Sequence, residues 1–391
     1  MPLHLHTRLT HSGRPAHTAG GGPVNVPVVR TSTVSFESMA ALREQVRRRA
    51  AGEPVSTYGR QGMDTQRALE AAMCELEGGS HTFLAPSGLA AISLTLLALL
   101  GPGDHLLVVE SVYHPVRKLD ADYLSRIGVQ VSYFDPAQQD VQAQLRPNTR
   151  VVYVETPGSL LYEMIDLAPI TAACRARGVS VVADNTWGSG YLFNPLRHGA
   201  DVSLVAGTKY VSGHSDLMMG MAVARDATHA DRLRKTWEAL GVAVGPDDAY
   251  LALRGLRTLA VRLRQHEANA TVVARWLAAQ PQVERVYYPA LESHPGHALW
   301  KRDCRGANGL LTVQFRGLDL QQSLDVADRL QLFDIGASWG GYESLVLPVE
   351  PHRLAHHGQT LEEAALLRLH IGLEEPQDLI DDLAQAIAAT A

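Results

Sequence analysis

Residues 81–109 read HTFLAPSGLAAISLTLLALLGPGDHLLVV, and this stretch decides the fold class. The apolar runs His81–Ala85 and His105–Val109 each predict a short buried strand, and Gly88–Leu100 between them predicts an apolar helix. A strand, a helix and a second strand in this order are typical of a parallel sheet with right-handed helical crossovers.

The same alternation continues to residue 224. Further strands are predicted at Val129–Phe134, Arg150–Glu155, Val179–Asp184, Val202–Ala206 and Met219–Ala224, with a helix at Asp166–Arg177. We therefore expect an α/β protein whose mainly parallel sheet has helices on both faces. Ligands of such sheets bind at the carboxyl ends of the strands, so candidate site residues are sought directly after each run.

The flanking regions have weaker patterns. Residues 1–57, rich in Gly, Pro and Thr, predict an arm with one short helix near Met39–Arg49, and we expect this arm to contact a neighbouring subunit. One long helix is predicted from Asp247 to about Ala279. The later strand-like runs, mixed with helices, are Val283–Tyr287, Leu310–Phe315 and Leu367–Ile371. The predicted division is an arm at 1–57, a large domain at 58–255 and a smaller α+β domain at 256–391.

Composition argues against several classes of protein. Apolar residues make up 46% of the 391 residues and charged residues 19%, so the chain can bury large cores. The formal charge of -6 offers no basic field for nucleic acid, and we interpret the basic run Arg47–Arg49 as a solvated helix face. The longest apolar stretch, Leu89–Leu100, is shorter than the roughly 20 residues that a membrane span needs.

Cysteine and motif content point to a cytoplasmic enzyme without a metal. The three cysteines lie far apart without a CxxC pair, which favours a reducing compartment. The amino-terminal sequence lacks the apolar core of a signal peptide. Neither a dinucleotide fingerprint nor a P-loop is present. His352 and His356 have the i, i+4 spacing that two metal ligands on a helix would have, but we interpret them as a solvated helix face.

Lys209 is the first candidate for chemistry. It follows the run Val202–Ala206 within a Gly- and Ser-rich turn, and Thr208 beside it offers a hydroxyl. A lone lysine is more often a solvated surface residue, and that alternative stays open at this point. Burial at the end of a strand would lower the pKa of the amine and make it usable as a base.

Three more candidates follow other strands. Asp184 ends a predicted buried strand, where a carboxylate is costly unless it meets a cation. The alternative is a helix cap or a turn into Asn185-Thr186. Ser87-Gly88-Leu89 opens an apolar helix whose amino end favours an anion, although many strand–turn–helix segments share this pattern. Tyr113 is either a ring that stacks on a ligand or a half-buried loop tyrosine.

Together these positions match the requirements of pyridoxal phosphate. This cofactor needs a lysine for a Schiff base, a carboxylate beside the pyridine nitrogen and a ring to hold its plane. Its phosphate needs hydroxyls and a helix amino end. Since the candidates follow different strands of one predicted sheet, a shared site explains them better than four separate coincidences.

The chain resembles the Cys/Met-metabolism family of pyridoxal-phosphate enzymes, which have the aspartate-aminotransferase-like fold (fold type I), from about Thr57 to Ile387. Its most specific stretches are Tyr58–Arg60, Cys74–Gly79, Asp184–Trp187, Thr208–Tyr210, Gly213–Asp216, Arg254–Leu259, Ser338–Leu345 and Arg368–Glu374.

The resemblance implies a role for each candidate. Lys209 would carry the cofactor and move protons, Asp184 would hold the pyridinium, and Tyr113 would stack on the ring or donate a proton. The phosphate ligands would be Gly88, Leu89 and Thr208, with Tyr58 and Arg60 from the adjacent subunit. The substrate carboxylate would be gripped by Arg368, Ser338 and Trp339. Without the resemblance, Tyr58-Gly59-Arg60 would be interpreted as a turn with an exposed arginine.

Two positions favour the β-lyase branch of this family. Ser159 stands where the γ branch usually has asparagine, and Trp339 stands where that branch usually has leucine. Ala206 departs from the wider family, in which many members carry a phosphate-binding serine. The implied reaction is β-elimination of L-cystathionine to homocysteine, pyruvate and ammonia, in a homotetramer built as a dimer of dimers with shared active sites.

Two alternatives remain. The first is a γ-lyase or a cysteine desulfhydrase of the same family. The second is a non-catalytic regulator on the same fold. The complete set of lysine, aspartate and arginine and the lack of an added DNA-binding domain argue against the regulator.

Overall fold

A computed structural model describes residues 3–15, 20–138, 140–350, 354 and 365–390. The predicted pair His352 and His356 lies outside the described residues. The helices are α1 Leu5–His11, α2 Met39–Ala50, α3 Asp64–Glu77, α4 Gly88–Leu99, α5 His114–Leu119, α6 Leu167–Ala176, α7 Ala227–Ala239, α8 Pro246–Leu256, α9 Leu259–Ala278, α10 His297–Asp303, α11 Leu320–Arg329 and α12 Pro376–Ala388. None of the described helices is long and apolar enough to cross a membrane.

The first sheet has seven strands. They are β1 His81–Ala85, β2 His105–Val109, β3 Gln130–Phe134, β4 Thr149–Glu155, β5 Ser180–Asp184, β6 Val202–Ala206 and β7 Gly220–Ala224. Their order is β1-β7-β6-β5-β4-β2-β3, and only β7 runs antiparallel to its neighbours. The predicted mainly parallel sheet is therefore confirmed, and the predicted strand bounds agree to within one residue.

Two strands of the first sheet are completely buried. Strands β2 and β7 are buried at every position, as expected for sheet strands covered on both faces. Helix α4 packs on β6 and β7, while α6 packs on β5. The Ser87 hydroxyl accepts a hydrogen bond from the Ala90 amide at 3.1 Å and so begins α4 directly after the β1 turn.

The prediction of one helix from Asp247 to Ala279 is wrong, because α8 ends at Leu256 and α9 begins at Leu259. Side chains donate hydrogen bonds to a backbone carbonyl that an unbroken helix would use for its own hydrogen bonding. The Gly255 carbonyl accepts from Arg262 Nη2 at 2.8 Å and from the Thr258 hydroxyl at 3.1 Å. Arg262 Nε also donates to that hydroxyl at 3.1 Å. Such local competition is hard to see in an otherwise helical sequence.

The second sheet has five strands, β8 Val283–Tyr287, β9 Leu310–Phe315, β10 Asp334–Ile335, β11 Leu345–Pro348 and β12 Leu366–His370. Their order is β10-β11-β12-β9-β8, so the last strand in the chain is the middle strand of the sheet. The short strands β10 and β11 were not predicted. The first sheet falls within the predicted 58–255 and the second within 256–391, although the domain division itself stays a prediction.

The amino-terminal region contains two helices rather than the predicted one. Helix α2 matches the prediction, whereas α1 was missed. No residue of α2 is buried in this chain. Arg47 of its basic run is exposed as expected, whereas Arg48 and Arg49 are half-buried. Each arginine pairs with a carboxylate: Arg47 with Glu44, Arg48 with Glu53, and Arg49 with Glu238.

Candidate active site

A cavity of about 590 Å³ lies where the carboxyl ends of the first sheet meet the second sheet. Nine of the eleven predicted site residues line it, namely Gly88, Leu89, Tyr113, Asp184, Thr208, Lys209, Ser338, Trp339 and Arg368. The two others, Tyr58 and Arg60, do not line it in this chain. The structure thus brings residues from both sheets to one space.

Lys209 is a half-buried residue of the cavity wall, so the alternative of a solvated surface lysine is wrong. Its Nζ donates to the Ser338 hydroxyl at 2.7 Å and lies 5.2 Å from the centroid of the Trp339 ring. Burial lowers the pKa of Lys209 to about 8, and the positive charge of Arg368 acts in the same direction. An amine with this pKa can take up and release protons near neutral pH.

The loop that carries Ser338 is fixed by His370, a buried residue of β12. His370 Nδ1 donates to the Glu343 carbonyl at 2.9 Å, and Nε2 accepts from the Gly340 amide at 3.1 Å. Burial holds the pKa of His370 well below its usual range, so Nε2 stays an acceptor. Gly340 has a φ of 89°, and a Cβ there would lie 2.8 Å from the Tyr210 amide nitrogen. The loop therefore lies directly against the Lys209 segment.

Asp184 lies at the tip of β5 and is 8% exposed. One oxygen accepts from the Tyr153 hydroxyl at 3.2 Å and the other from the Thr186 amide at 2.9 Å. The second bond is the turn that the sequence offered as the alternative, so the turn and a place in the cavity coexist. Burial raises the pKa of Asp184, although the hydrogen bonds from Thr186 and Tyr153 act in the opposite direction. A cationic ring nitrogen would compensate that cost.

Glu155 is a cavity residue that the sequence analysis did not single out. It ends β4 opposite Asp184 in the parallel register, and its Oε2 accepts from the Tyr113 amide at 2.6 Å. Burial, and then the neighbouring Asp184 carboxylate, raise the pKa of Glu155 well above its usual range. Its position at a strand tip was the same signal that identified Asp184. The cross-strand register, which the sequence does not show, makes the two carboxyls neighbours.

The opposite side of the cavity has the features of an anion site. Gly88 and Leu89 form the amino end of α4, where the first amides lack intrahelical partners. A Cβ at Gly88 would lie 2.8 Å from the Ala206 Cβ, so the backbone approaches β6 closely. The Thr208 hydroxyl accepts from the Met219 amide at 2.9 Å and donates to its carbonyl at 3.2 Å. A hydroxyl so engaged can offer a ligand only part of its hydrogen-bonding capacity.

Arg368 occupies the middle of β12 and is 8% exposed. Its Nη2 donates to the carbonyls of Ala337 at 3.0 Å and Ser338 at 3.3 Å. These bonds hold the guanidinium in the wall that also carries Ser338. This placement is compatible with the role that the resemblance implies for Arg368, which is to grip a substrate carboxylate.

Tyr58 and Arg60 lie elsewhere. Tyr58 pairs with Thr33 of the arm in an isolated bridge, and Arg60 Nη1 donates to the Glu238 carbonyl at 3.3 Å. Arg60 lines a second cavity of about 230 Å³ that shares no residue with the first. Within one chain this segment is the turn with an exposed arginine, and its contribution to a neighbouring site stays a prediction.

The cavity's donor set fits pyridoxal phosphate. It presents an amine with a lowered pKa in Lys209, a buried carboxyl without an ion-pair partner among the described residues in Asp184, and a half-exposed ring in Tyr113. The amino end of a 12-residue helix faces the same space. These are the groups that a covalent aldehyde cofactor with a cationic ring and a phosphate would use.

Comparisons with known proteins agree with this arrangement. Residues 6–388 match the model of the Cys/Met metabolism PLP-dependent enzymes. The chain is 51% identical to a cystathionine beta-lyase of Bordetella avium over 99% of this chain and 98% of that one. It is 43% identical to the cystathionine beta-lyase of Escherichia coli (strain K12) over 97% of each. A crystal structure of cystathionine gamma synthase from Xanthomonas oryzae pv. oryzae in complex with cystathionine superposes with a TM-score of 0.90 and 33% identity, over 100% of this chain and 99% of that one.

Proposed function

We propose a reaction from one premise: this chain belongs to the Cys/Met metabolism family of PLP-dependent enzymes. Its cofactor is pyridoxal 5'-phosphate. The protein is a carbon–sulfur β-lyase that cleaves L-cystathionine, with water, to homocysteine, pyruvate and ammonia. The observation that carries this proposal is the meeting of Lys209, Asp184 and Arg368 in one cavity.

Each of the main cavity residues has a separate role in this proposed reaction. Arg368 binds the substrate carboxylate through its guanidinium and so sets the orientation of Cα. Lys209 Nζ, held by Ser338, removes the Cα proton and is also a donor to the departing sulfur. Tyr113 is the second candidate donor. Asp184 supplies the negative charge that keeps a ring nitrogen protonated, and the bound cofactor supplies the electron sink for the Cα carbanion.

The phosphate would be held by Gly88 and Leu89 at the amino end of α4 and by Thr208. We propose that Tyr58 and Arg60 of a second subunit complete this set. The arm at 1–57 supports that proposal, because α2 leaves Met39 at 63% and Val46 at 51% exposure within one chain. These two side chains are seven residues apart, so they lie on one face of the helix, as a subunit contact would require. On this proposal the chains form dimers, and two dimers form a tetramer in the cytoplasm.

Product analysis separates the β-lyase from its rivals. Purified protein with added cofactor and L-cystathionine should release pyruvate, because β-elimination leaves the three-carbon fragment. A γ-lyase would release 2-oxobutyrate instead. A cysteine desulfhydrase would favour cysteine over cystathionine as the source of pyruvate. The absence of any turnover would support a non-catalytic protein. The β-lyase names of the relatives at 51% and 43% identity support the first outcome.

A further inference from the structure

Tyr162 has an unusual backbone for a large side chain. Its φ is 58°, in the left-handed region that favours glycine, and it is 1% exposed. Residues other than glycine persist in this conformation only where the surroundings fix them, and such residues cluster at functional sites. Tyr162 lines the same cavity as Lys209 and Arg368. The strained backbone therefore places a phenol in the wall of the proposed active site.

The described residues offer the phenol hydrogen of Tyr162 no good hydrogen-bond acceptor. The described residues offer the Tyr162 hydroxyl one contact, 3.5 Å from Thr312 Oγ1. Thr312 gives its single hydroxyl hydrogen to the Leu160 carbonyl at 2.7 Å, which is the better bond. The phenol hydrogen is thus available to a ligand in the cavity. Without such a ligand, the buried phenol hydrogen would have no acceptor, which costs free energy.

Thr312 connects this hydroxyl to the neighbourhood of Arg368. Thr312 of β9 is the direct cross-strand partner of Arg368 in β12. Burial raises the pKa of Tyr162 to about 12, while the Arg368 charge acts in the opposite direction. The phenol therefore keeps its hydrogen throughout the neutral range. A cationic fork and a neutral O–H donor, side by side, suit a carboxylate, which accepts several hydrogen bonds.

We infer that Tyr162 is a specificity-determining residue whose hydroxyl donates to the substrate α-carboxylate bound at Arg368. This inference rests on the proposed function, since it takes the ligand to be an amino acid. A carboxylated ligand would satisfy both donors, whereas a simple amine would leave the phenol unpaired. The pair would thus select amino acids over amines of the same size.

The test compares two ligands and two variants. Wild type, Tyr162→Phe and Tyr288→Phe holoenzymes are titrated with L-alanine and with ethylamine, its analogue without the carboxylate, and the change in cofactor absorbance gives each Kd. Tyr288 is the matched control, because it is another buried tyrosine whose hydroxyl donates to the Asn308 carbonyl at 3.0 Å. Tyr162→Phe should raise the Kd of L-alanine roughly tenfold to a hundredfold, with ethylamine unchanged. Tyr288→Phe should change neither.

Three outcomes would overturn the inference. The Kd of L-alanine could be unchanged in Tyr162→Phe, or both ligands could weaken equally, which would indicate a structural role. Wild type could also fail to prefer L-alanine over ethylamine, which would mean that the cavity has no carboxylate site. None of these readouts uses cystathionine turnover. A protein that released no pyruvate would contradict the proposed function. The Kd values for L-alanine and ethylamine would still decide the role of Tyr162.

Discussion

The Nζ atom of Lys209 lies 2.7 Å from the Oγ atom of Ser338, a residue 129 positions later in the chain. The first residue follows β6 of the large sheet, and the second follows β10 of the small one. A side chain of the second sheet therefore orients the amine that the first sheet presents. Both sheets are therefore needed to place this Nζ atom.

Replacing Lys209 with alanine should remove the yellow colour of the purified protein and nearly all turnover. Lys209 is the only lysine among the described residues that line the cavity. Loss of a positioned base alone costs roughly a hundredfold to ten-thousandfold in rate. Visible absorbance and pyruvate release measure the two effects. Lys235→Ala is the control, since Lys235 is exposed and pairs with Asp231. Wild-type activity in Lys209→Ala would refute the assignment.

Replacing Arg368 with alanine should weaken amino-acid binding while the cofactor absorbance stays. Loss of one partner from a buried charged pair typically costs about 2–5 kcal/mol. Steady-state kinetics would show this as a large rise in KM or fall in kcat/KM. Arg368→Lys should recover little, because an ammonium lacks the planar fork. Exposed Arg285 is the control position. An unchanged KM together with an unchanged kcat would remove Arg368 from the site.

Subunits carrying Arg60→Ala and Lys209→Ala should rescue each other. If Arg60 serves the neighbouring site, each hybrid dimer has one intact site, with lysine from one chain and arginine from the other. Random mixing should then recover about a quarter of wild-type turnover, because half of the dimers are hybrids with one of two sites intact. The test requires Arg60→Ala alone to be badly impaired. Subunits that demonstrably exchange without any gain over the two parents would show that each chain carries a complete site.

Replacing Glu77 with glutamine should stabilise the protein increasingly from about pH 5 to about pH 8. Glu77 is fully buried and accepts two contacts from Asn185 Nδ2, at 2.9 and 3.2 Å. Burial raises its pKa to about 8. Below its ordinary pKa, wild type and variant should be similarly stable, because Glu77 is protonated in both folded and unfolded chains. Between the two pKa values only the folded chain holds the proton, so wild type loses up to about 1.4 kcal/mol per pH unit relative to the variant.

Denaturant unfolding at several pH values measures this difference, which should level off above about pH 8. Glu284→Gln is the control because the Glu284 side chain is exposed and pairs with Arg316 on the surface. A stability gap for Glu77→Gln that is constant from pH 5 to pH 9 would mean that Glu77 ionises alike in the folded and unfolded chains.

The parts of the fold that could be predicted from the sequence are those determined by residues close together in the chain. Strand β5 ends at Asp184 as expected, because a β-branched run meets a turn-forming pair there. The amino end of α4 was visible as Ser87-Gly88 before an apolar helix. By contrast, the break after Leu256 depends on Arg262 side-chain bonds, and helix α1 is too short for a clear period.

The same distinction applies to the site. Asp184 and Lys209 were found because one ends a core strand and the other follows one, whereas Arg368 needed the family resemblance to acquire a role. Glu155 was missed because only the register of β4 with β5 brings it beside Asp184. Tyr162 was missed for a related reason, since neither its positive φ nor its contact with Thr312 can be predicted from the sequence.

The central place of β12 in the small sheet has a consequence for biosynthesis. A ribosome adds roughly 5–20 residues per second, so Ser338 follows Lys209 by on the order of ten seconds, and the middle strand of its sheet comes later still. During that interval the large sheet can fold, but Lys209 lacks both the Ser338 hydroxyl and the Arg368 charge. A chain that ends before residue 366 therefore lacks the middle strand of the small sheet, and with it the Arg368 charge that helps to lower the pKa of Lys209.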